Sequence, residues 1–291
     1  MQVIDGPAIL AFNYAGGIKG ALCRKIFTVP HGLSIDHKGM LWATDVKLHQ
    51  IMRIDPNSKS VDGSSMGRVT LTLGTRNSPG RGSTQFNKPT DVAVHPTTNE
   101  VYVADGYGNS RIIVFTYEGK YVREWGAYGT TDGRFHVPHS IAIDRRGDVY
   151  VADRENSRVQ VFESGTGRYK SQWLSRVASS PQRTVFSRHV SSISYHPVLD
   201  VFAVTEGDGV TLRTPSGCPL VQTDGNLRWP HDAVLVPSAA LAGGGATVPN
   251  RSAVAHEGAQ YALFVAELQG KRIKRFNSVG GVDGGRVDPY G

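Results

Sequence analysis

The chain repeats itself, and the repeat limits what it can fold into more than any other feature. "PHGLSIDHKGMLWATD" from Pro30, "PTDVAVHPTTNEVYVAD" from Pro89, "PHSIAIDRRGDVYVAD" from Pro138 and "PHDAVLV" from Pro230, continued after an insertion by "YALFVAE", share one pattern, and a weaker copy, "SSISYHPVLDVFAVTE", begins at Ser191. Each copy holds an alternating apolar run, a polar turn and a second alternating run closing on Asp or Glu. A third run such as "SRIIVFTYEGK" or "SRVQVFESGTG" usually follows. Alternation of period two marks strands, and copies spaced by roughly 40–60 residues fall in the range of four-stranded propeller blades. A sheet that small cannot bury both faces alone. Stacked radially, each blade covers its neighbour, and the innermost strands line a central channel.

The expectation is therefore one all-β domain over residues 1–291, a β-propeller. Residues 1–29 supply outer-strand material ("AILAFN", "CRKIFTV") without a proline-led opening, so the first blade reads as incomplete. Residues 238–250 read as a small-residue turn insertion and residues 280–291 as a C-terminal tail. The 34 glycines and 15 prolines suit the many turns this design requires.

The net charge of +7 raises acidic partners or nucleic acid as possibilities. The basic residues are scattered, however, and the densest group, Lys271, Arg272, Lys274 and Arg275, alternates with a strand pattern and reads as a solvated face, so no nucleic-acid partner is expected. Two cysteines, Cys23 and Cys218, without a CxxC neighbour give neither a disulfide framework nor a cysteine zinc site. No apolar run approaches the roughly 18 residues that cross a bilayer, and the first residues lack the basic and apolar regions of a secretory signal. The reading is a soluble chain with no membrane span.

His31, His139 and His231 each follow the repeat proline; the same position holds Thr90 and Ser191 in the other copies. Equivalent residues at the start of innermost strands sit at equivalent heights around the axis, so three imidazoles from three blades converge. Three histidines with no fourth protein ligand are the pattern of a catalytic zinc site. Any one of them alone reads equally well as a packed residue bonded to a nearby carbonyl. The other seven histidines lie off this register.

With these Pro-His pairs stand the turns "DGYGNSR" and "DRENSR", in the contexts "VPHGLSID", "FNKPTDVAVHP", "VYVADGYGNSRIIVF", "VPHSIAID", "VYVADRENSRVQVF" and "WPHDAVL". Together they resemble the lyase domain of peptidylglycine α-amidating monooxygenase, over most of the chain from about Ile26 to Phe276. The resemblance implies a six-bladed NHL-type propeller that cleaves peptidyl-α-hydroxyglycine to a peptide amide and glyoxylate, with a hydroxylating monooxygenase as partner. It puts zinc on His31, His139 and His231, an active-site tyrosine at Tyr107, an active-site arginine at Arg154, and calcium on Asp232 and the Leu33 carbonyl. Asn109, Asn156, Arg111 and Arg158 recur in both turns and read as turn-forming, not chemical.

The family's two disulfides would use positions that are Asn87, Gly108, Tyr150 and Val161 here, which fits a reducing compartment. The family's first repeat, with a second arginine, has no counterpart before Met1. Two rival readings stand beside the lyase. One is a non-catalytic NHL-type propeller presenting a protein- or nucleic-acid-binding face. The other is a metal-dependent hydrolase such as a lactonase, although carboxylates and Asn around calcium would suit that chemistry better than three Pro-His pairs.

Overall fold

The computed structural model describes residues 2–12, 18–61, 63, 66–175, 189–223, 227, 229–237, 261–267 and 272–277. The 238–250 insertion, the 280–291 tail and Lys271 lie outside the described residues. The described chain is an all-β propeller made of five sheets, with a single 3-10 turn at Arg154–Asn156 and no α-helix.

In the first sheet, β1 (Pro7–Phe12), β2 (Ile18–Arg24), β3 (Pro30–Ile35), β4 (Leu41–Asp45), β5 (Gln50–Lys59) and β6 (Met66–Leu73) lie in the order β1-β2-β6-β5-β4-β3. The second holds β7 (Asp91–Val94), β8 (Val101–Asp105), β9 (Arg111–Phe115) and β10 (Tyr121–Trp125), in chain order from the inside out. The third holds β11 (Pro138–Ile143), β12 (Val149–Asp153), β13 (Arg158–Phe162) and β14 (Tyr169–Leu174); the fourth, β15 (Val190–His196), β16 (Val201–Glu206), β17 (Gly209–Arg213) and β18 (Pro219–Gln222). The fifth has β19 (Pro230–Pro237), β20 (Tyr261–Glu267) and β21 (Arg272–Asn277).

Alternation along each strand divides its side chains between two neighbours. Val101 and Val103 of β8 pack with Trp42 and Ile51 of the first sheet, while Tyr102 and Ala104 of the same strand pack with Ile141 and Val151 of the third. Tyr150 and Ala152 then meet Phe202 and Val204 of the fourth sheet, and Val201 and Ala203 meet Leu235 and Val265 of the fifth. A strand covered on both faces loses its polar alternation, which is why "VYVAD" is fully buried in both β8 and β12. The outer strands β10 and β14 are mostly exposed and keep their charges.

β1 and β2 do not stand as a blade. They pair antiparallel with each other, and a parallel pairing of Leu22 with Met66 joins β2 to the outer edge of the first sheet. Cys23 and Phe27, with Leu22, cover Leu41, Ala43 and Met52 on the face turned away from the second sheet. Five sheets, not six, are present among the described residues. Both cysteines are free, Tyr150 and Val161 pair directly across β12 and β13, and no described helix is long and apolar enough to cross a membrane.

Candidate metal centre

Pro30, Pro138 and Pro230 open the innermost strands β3, β11 and β19, and a histidine follows each. The first, third and fifth sheets place histidine there, and the rings of His31, His139 and His231 gather with centroids 4.8, 4.9 and 5.2 Å apart. One ligand atom from each lies within 4.8 Å of the others.

The intervening sheets orient these rings. His31 Nδ1 donates to the Thr90 carbonyl at 2.8 Å, and His139 Nδ1 donates to the Ser191 carbonyl at 2.6 Å. Thr90 and Ser191 occupy the histidine position of the second and fourth repeats, so a repeat without a ligand positions the ligand of the repeat before it. A carbonyl only accepts, so both Nδ1 atoms carry the proton and both Nε2 atoms present a lone pair. Outer hydrogen bonds of this kind fix the tautomer that a metal needs.

Tyr107 enters on the turn after β8. Its hydroxyl lies 3.0 Å from His31 Nε2 and 2.9 Å from His139 Nε2. Gly106 permits this approach, because a Cβ there would overlap the Pro138 carbonyl oxygen of the third sheet. Arg154, on the turn after β12, donates from Nη1 to the same hydroxyl at 3.4 Å, and its guanidinium carbon lies 5.3 Å from the tyrosine ring centroid. Burial raises the Tyr107 pKa, and the Arg154 charge works against that rise.

The donor set suits a cation. Two imidazole lone pairs share one phenolic proton, and His231 brings a third nitrogen. Burial, with Arg154 and the neighbouring imidazoles adding to it, lowers His139 well below the usual histidine range and His231 to about 4. Burial and then Arg154 also lower His31, against its Thr90 bond. The cluster therefore cannot relieve its electron-rich centre by taking up protons near neutrality. Three neutral imidazoles are what divalent zinc binds.

Asp232 follows His231 on β19, and Leu33 is two residues after His31 on β3. Leu33 lies on β3 with its side chain exposed, and Asp232 on β19 accepts from the Ala233 amide at 2.8 Å. Asp91, not singled out from the sequence, interacts electrostatically with Asp232. Burial chiefly, and the charge of Asp232 after it, push its carboxyl up to about 7, although Ile141 N and Ser140 Oγ both donate to it.

Asn109 and Arg111 both bond Asp105, as Asn156 and Arg158 both bond Asp153. These four brace the turns and stay out of the centre. Two residues that sequence reasoning passed over complete the surroundings of Arg154. Glu155 accepts from its Nε at 2.9 Å, and His189 Nε2 lies 2.9 Å from the other Glu155 oxygen. Glu155, like Tyr107 and Arg154, breaks the repeat, and that signal could have found it.

A family model described as NHL repeat matches residues 86–115 and 135–162, which hold β7–β9 and β11–β13. Peptidylglycine alpha-amidating monooxygenase of Rattus norvegicus is 42% identical over 179 residues, 60% of this chain and 17% of the rat protein. Peptidyl-alpha-hydroxyglycine alpha-amidating lyase 1 of Drosophila melanogaster is 29% identical over 94% of this chain and 49% of its own length. The chain thus spans a minor part of the rat protein and about half of the fly protein. Virginiamycin B lyase from Staphylococcus aureus shares the fold with a TM-score of 0.53 at 16% identity, covering 87% of this chain and 68% of that one.

Proposed function

We infer that this propeller with NHL repeats, a homologue of the peptidyl-α-hydroxyglycine α-amidating lyases, cleaves the carbon–nitrogen bond of a C-terminal α-hydroxyglycine and releases a peptide amide and glyoxylate. The observation that carries the reading is one hydroxyl, that of Tyr107, within hydrogen-bonding reach of His31, His139 and Arg154 together.

His31, His139 and His231 would hold zinc, which when bound acts as a Lewis acid on substrate oxygen and lowers the pKa of what it touches. Tyr107 works as the base. Its phenolate takes the proton of the substrate hydroxyl, the freed O–H electron pair closes the glyoxylate C=O, and the C–N pair leaves with nitrogen, which recovers a proton from the phenol. Reactant and products balance without any co-reactant. Arg154 supports this by stabilising the phenolate or by gripping the carboxylate of the hydroxyglycine with two parallel bonds. Asp232 and the Leu33 carbonyl would give calcium two oxygens of the six to eight it takes, with Asp91 adding charge beside them.

Elemental analysis of the purified chain, with a glyoxylate assay on N-benzoyl-α-hydroxyglycine, tests the reading. One zinc per chain and release of glyoxylate are expected. A zinc-loaded chain that releases none overturns it.

A further inference from the structure

We propose that Glu155, with His189 against its far side, is a positioning residue that aims Arg154 at Tyr107 and the substrate; the inference rests on the lyase reading above. Arg154 begins the 3-10 turn Arg154–Asn156, and that turn is pinned on several sides. The Arg154 and Glu155 amides donate to the Val137 and His136 carbonyls at 3.1 Å each. Asn156 donates to Asp153 at 2.8 Å and to the Gly129 carbonyl at 3.0 Å.

On this fixed backbone the Arg154 side chain still has several rotatable bonds. Glu155 removes that freedom. One of its oxygens takes both Nε, at 2.9 Å, and Nη2, at 2.8 Å, so a whole edge of the guanidinium is held and the opposite nitrogen, Nη1, faces the Tyr107 hydroxyl. The second Glu155 oxygen lies 2.9 Å from His189 Nε2, a close contact on the side away from Arg154 whose alignment is not that of a hydrogen bond. All three side chains are largely covered, 24%, 21% and 16% exposed, so this is a chain of contacts into the channel and not a loose surface pair.

The repeat makes the same point. Counted back from the shared asparagine, Arg154 stands where the second sheet has Tyr107, and Glu155 where it has Gly108. The turn that carries a rigid phenol needs no neighbour to aim it; Gly108 there leaves room for the Asn87 side chain. The turn that carries a flexible arginine has a carboxylate beside it. A group held in place has less to lose on reaching the transition state, and misplacement by about 1 Å costs on the order of 100-fold.

The test compares zinc-loaded wild type with Glu155→Ala, Glu155→Gln, Arg154→Ala and the Arg154→Ala/Glu155→Ala double variant, on N-benzoyl-α-hydroxyglycine. Glu155→Ala should lose on the order of 10- to 100-fold in kcat/KM with zinc content and Tm unchanged. Glu155→Gln should recover most of that loss, because its amide oxygen still takes Nε and Nη2. The double variant should be no worse than Arg154→Ala alone, since Glu155 acts only through the arginine.

Wild-type activity in Glu155→Ala, or a double variant whose loss is the product of the two single losses, overturns the proposal. The same variants are titrated calorimetrically with benzoylglycine, the acid without the reacting hydroxyl. If wild type releases no glyoxylate, the lyase reading alone fails. Tenfold weaker benzoylglycine binding by Glu155→Ala would still support the role of Glu155, and binding indistinguishable from wild type would overturn it.

Discussion

The turn after β8 and the turn after β12 differ in what they carry. In each, an aspartate at the end of a buried strand receives an asparagine and an arginine from the same turn: Asp105 with Asn109 and Arg111, Asp153 with Asn156 and Arg158. In each, the arginine goes on to bond carbonyls of the loop before its own innermost strand, Arg81, Gly82 and Gln85 in one case and Thr131 and Arg134 in the other. Between the aspartate and the asparagine the two sequences diverge, to Gly-Tyr-Gly and to Arg-Glu. Repetition within one chain thus separates brace from payload: what recurs holds the turn, and among what differs Tyr107 reaches the imidazoles and Arg154 reaches Tyr107.

The most damaging change to this arrangement removes one of the two imidazoles that Tyr107 reaches. His139→Ala should abolish stoichiometric zinc and all measurable turnover while circular dichroism shows the β-structure retained. Tyr107→Phe tests one payload without touching its brace. A loss of about 10²- to 10⁴-fold in kcat is expected, the usual worth of a positioned acid–base group, with zinc retained. Turnover near the wild-type value would assign the proton transfer elsewhere.

Breaking the braces should hurt stability in the same way on both sides. Asp105→Ala and Asp153→Ala each take the buried carboxylate from a buried arginine, leaving Arg111 with Glu124 at 2.6 Å and Arg158 with Asp132 at 3.8 Å; each should cost up to about 3–5 kcal/mol in urea unfolding, with the larger loss in the Asp153 turn. A large cost for one and none for the other would end the equivalence. Gly106→Ala sharpens it from the other side. The added Cβ meets the Pro138 carbonyl and should displace Tyr107 for a loss on the order of 100-fold in kcat, with zinc content unchanged.

The smallest effect concerns protons. Folding holds His231 at about 4, burial being the main cause, while the unfolded residue titrates near 6.5. The unfolded state therefore binds more protons between those values, and the stability His231 gives the metal-free protein is present above about pH 6.5 and lost as pH falls toward 4. Asp91, raised to about 7, runs in the opposite direction, so the clean observable is a difference. The stability gap between wild type and His231→Gln should shrink over that window. A constant gap would mean that His231 keeps its ordinary pKa.

Much of this was legible in the sequence, because a repeat turns position into geometry. The shared register of His31, His139 and His231 located the centre, and the departure of Tyr107 and Arg154 from the repeat pointed to its surroundings. What stayed hidden lacked such a signal. The carbonyls of Thr90 and Ser191 orient two imidazoles, yet a backbone carbonyl leaves no trace in residue identity. His189 reaches Glu155 from a different repeat, off the histidine register. Residues 7–24 carried strand patterning, but only the parallel contact of Leu22 with Met66 shows that they extend the first sheet. Alternation says that a segment is a strand, not which edge it joins.

The claim beneath all of these tests is that alternate sheets bring three imidazoles to one metal ion. X-ray absorption at the zinc K-edge of the zinc-loaded chain addresses it most directly. The account predicts three imidazole nitrogens at about 2.0–2.1 Å with the remaining coordination by oxygen. A zinc ion bound by fewer than three imidazoles, or by sulfur, would contradict it.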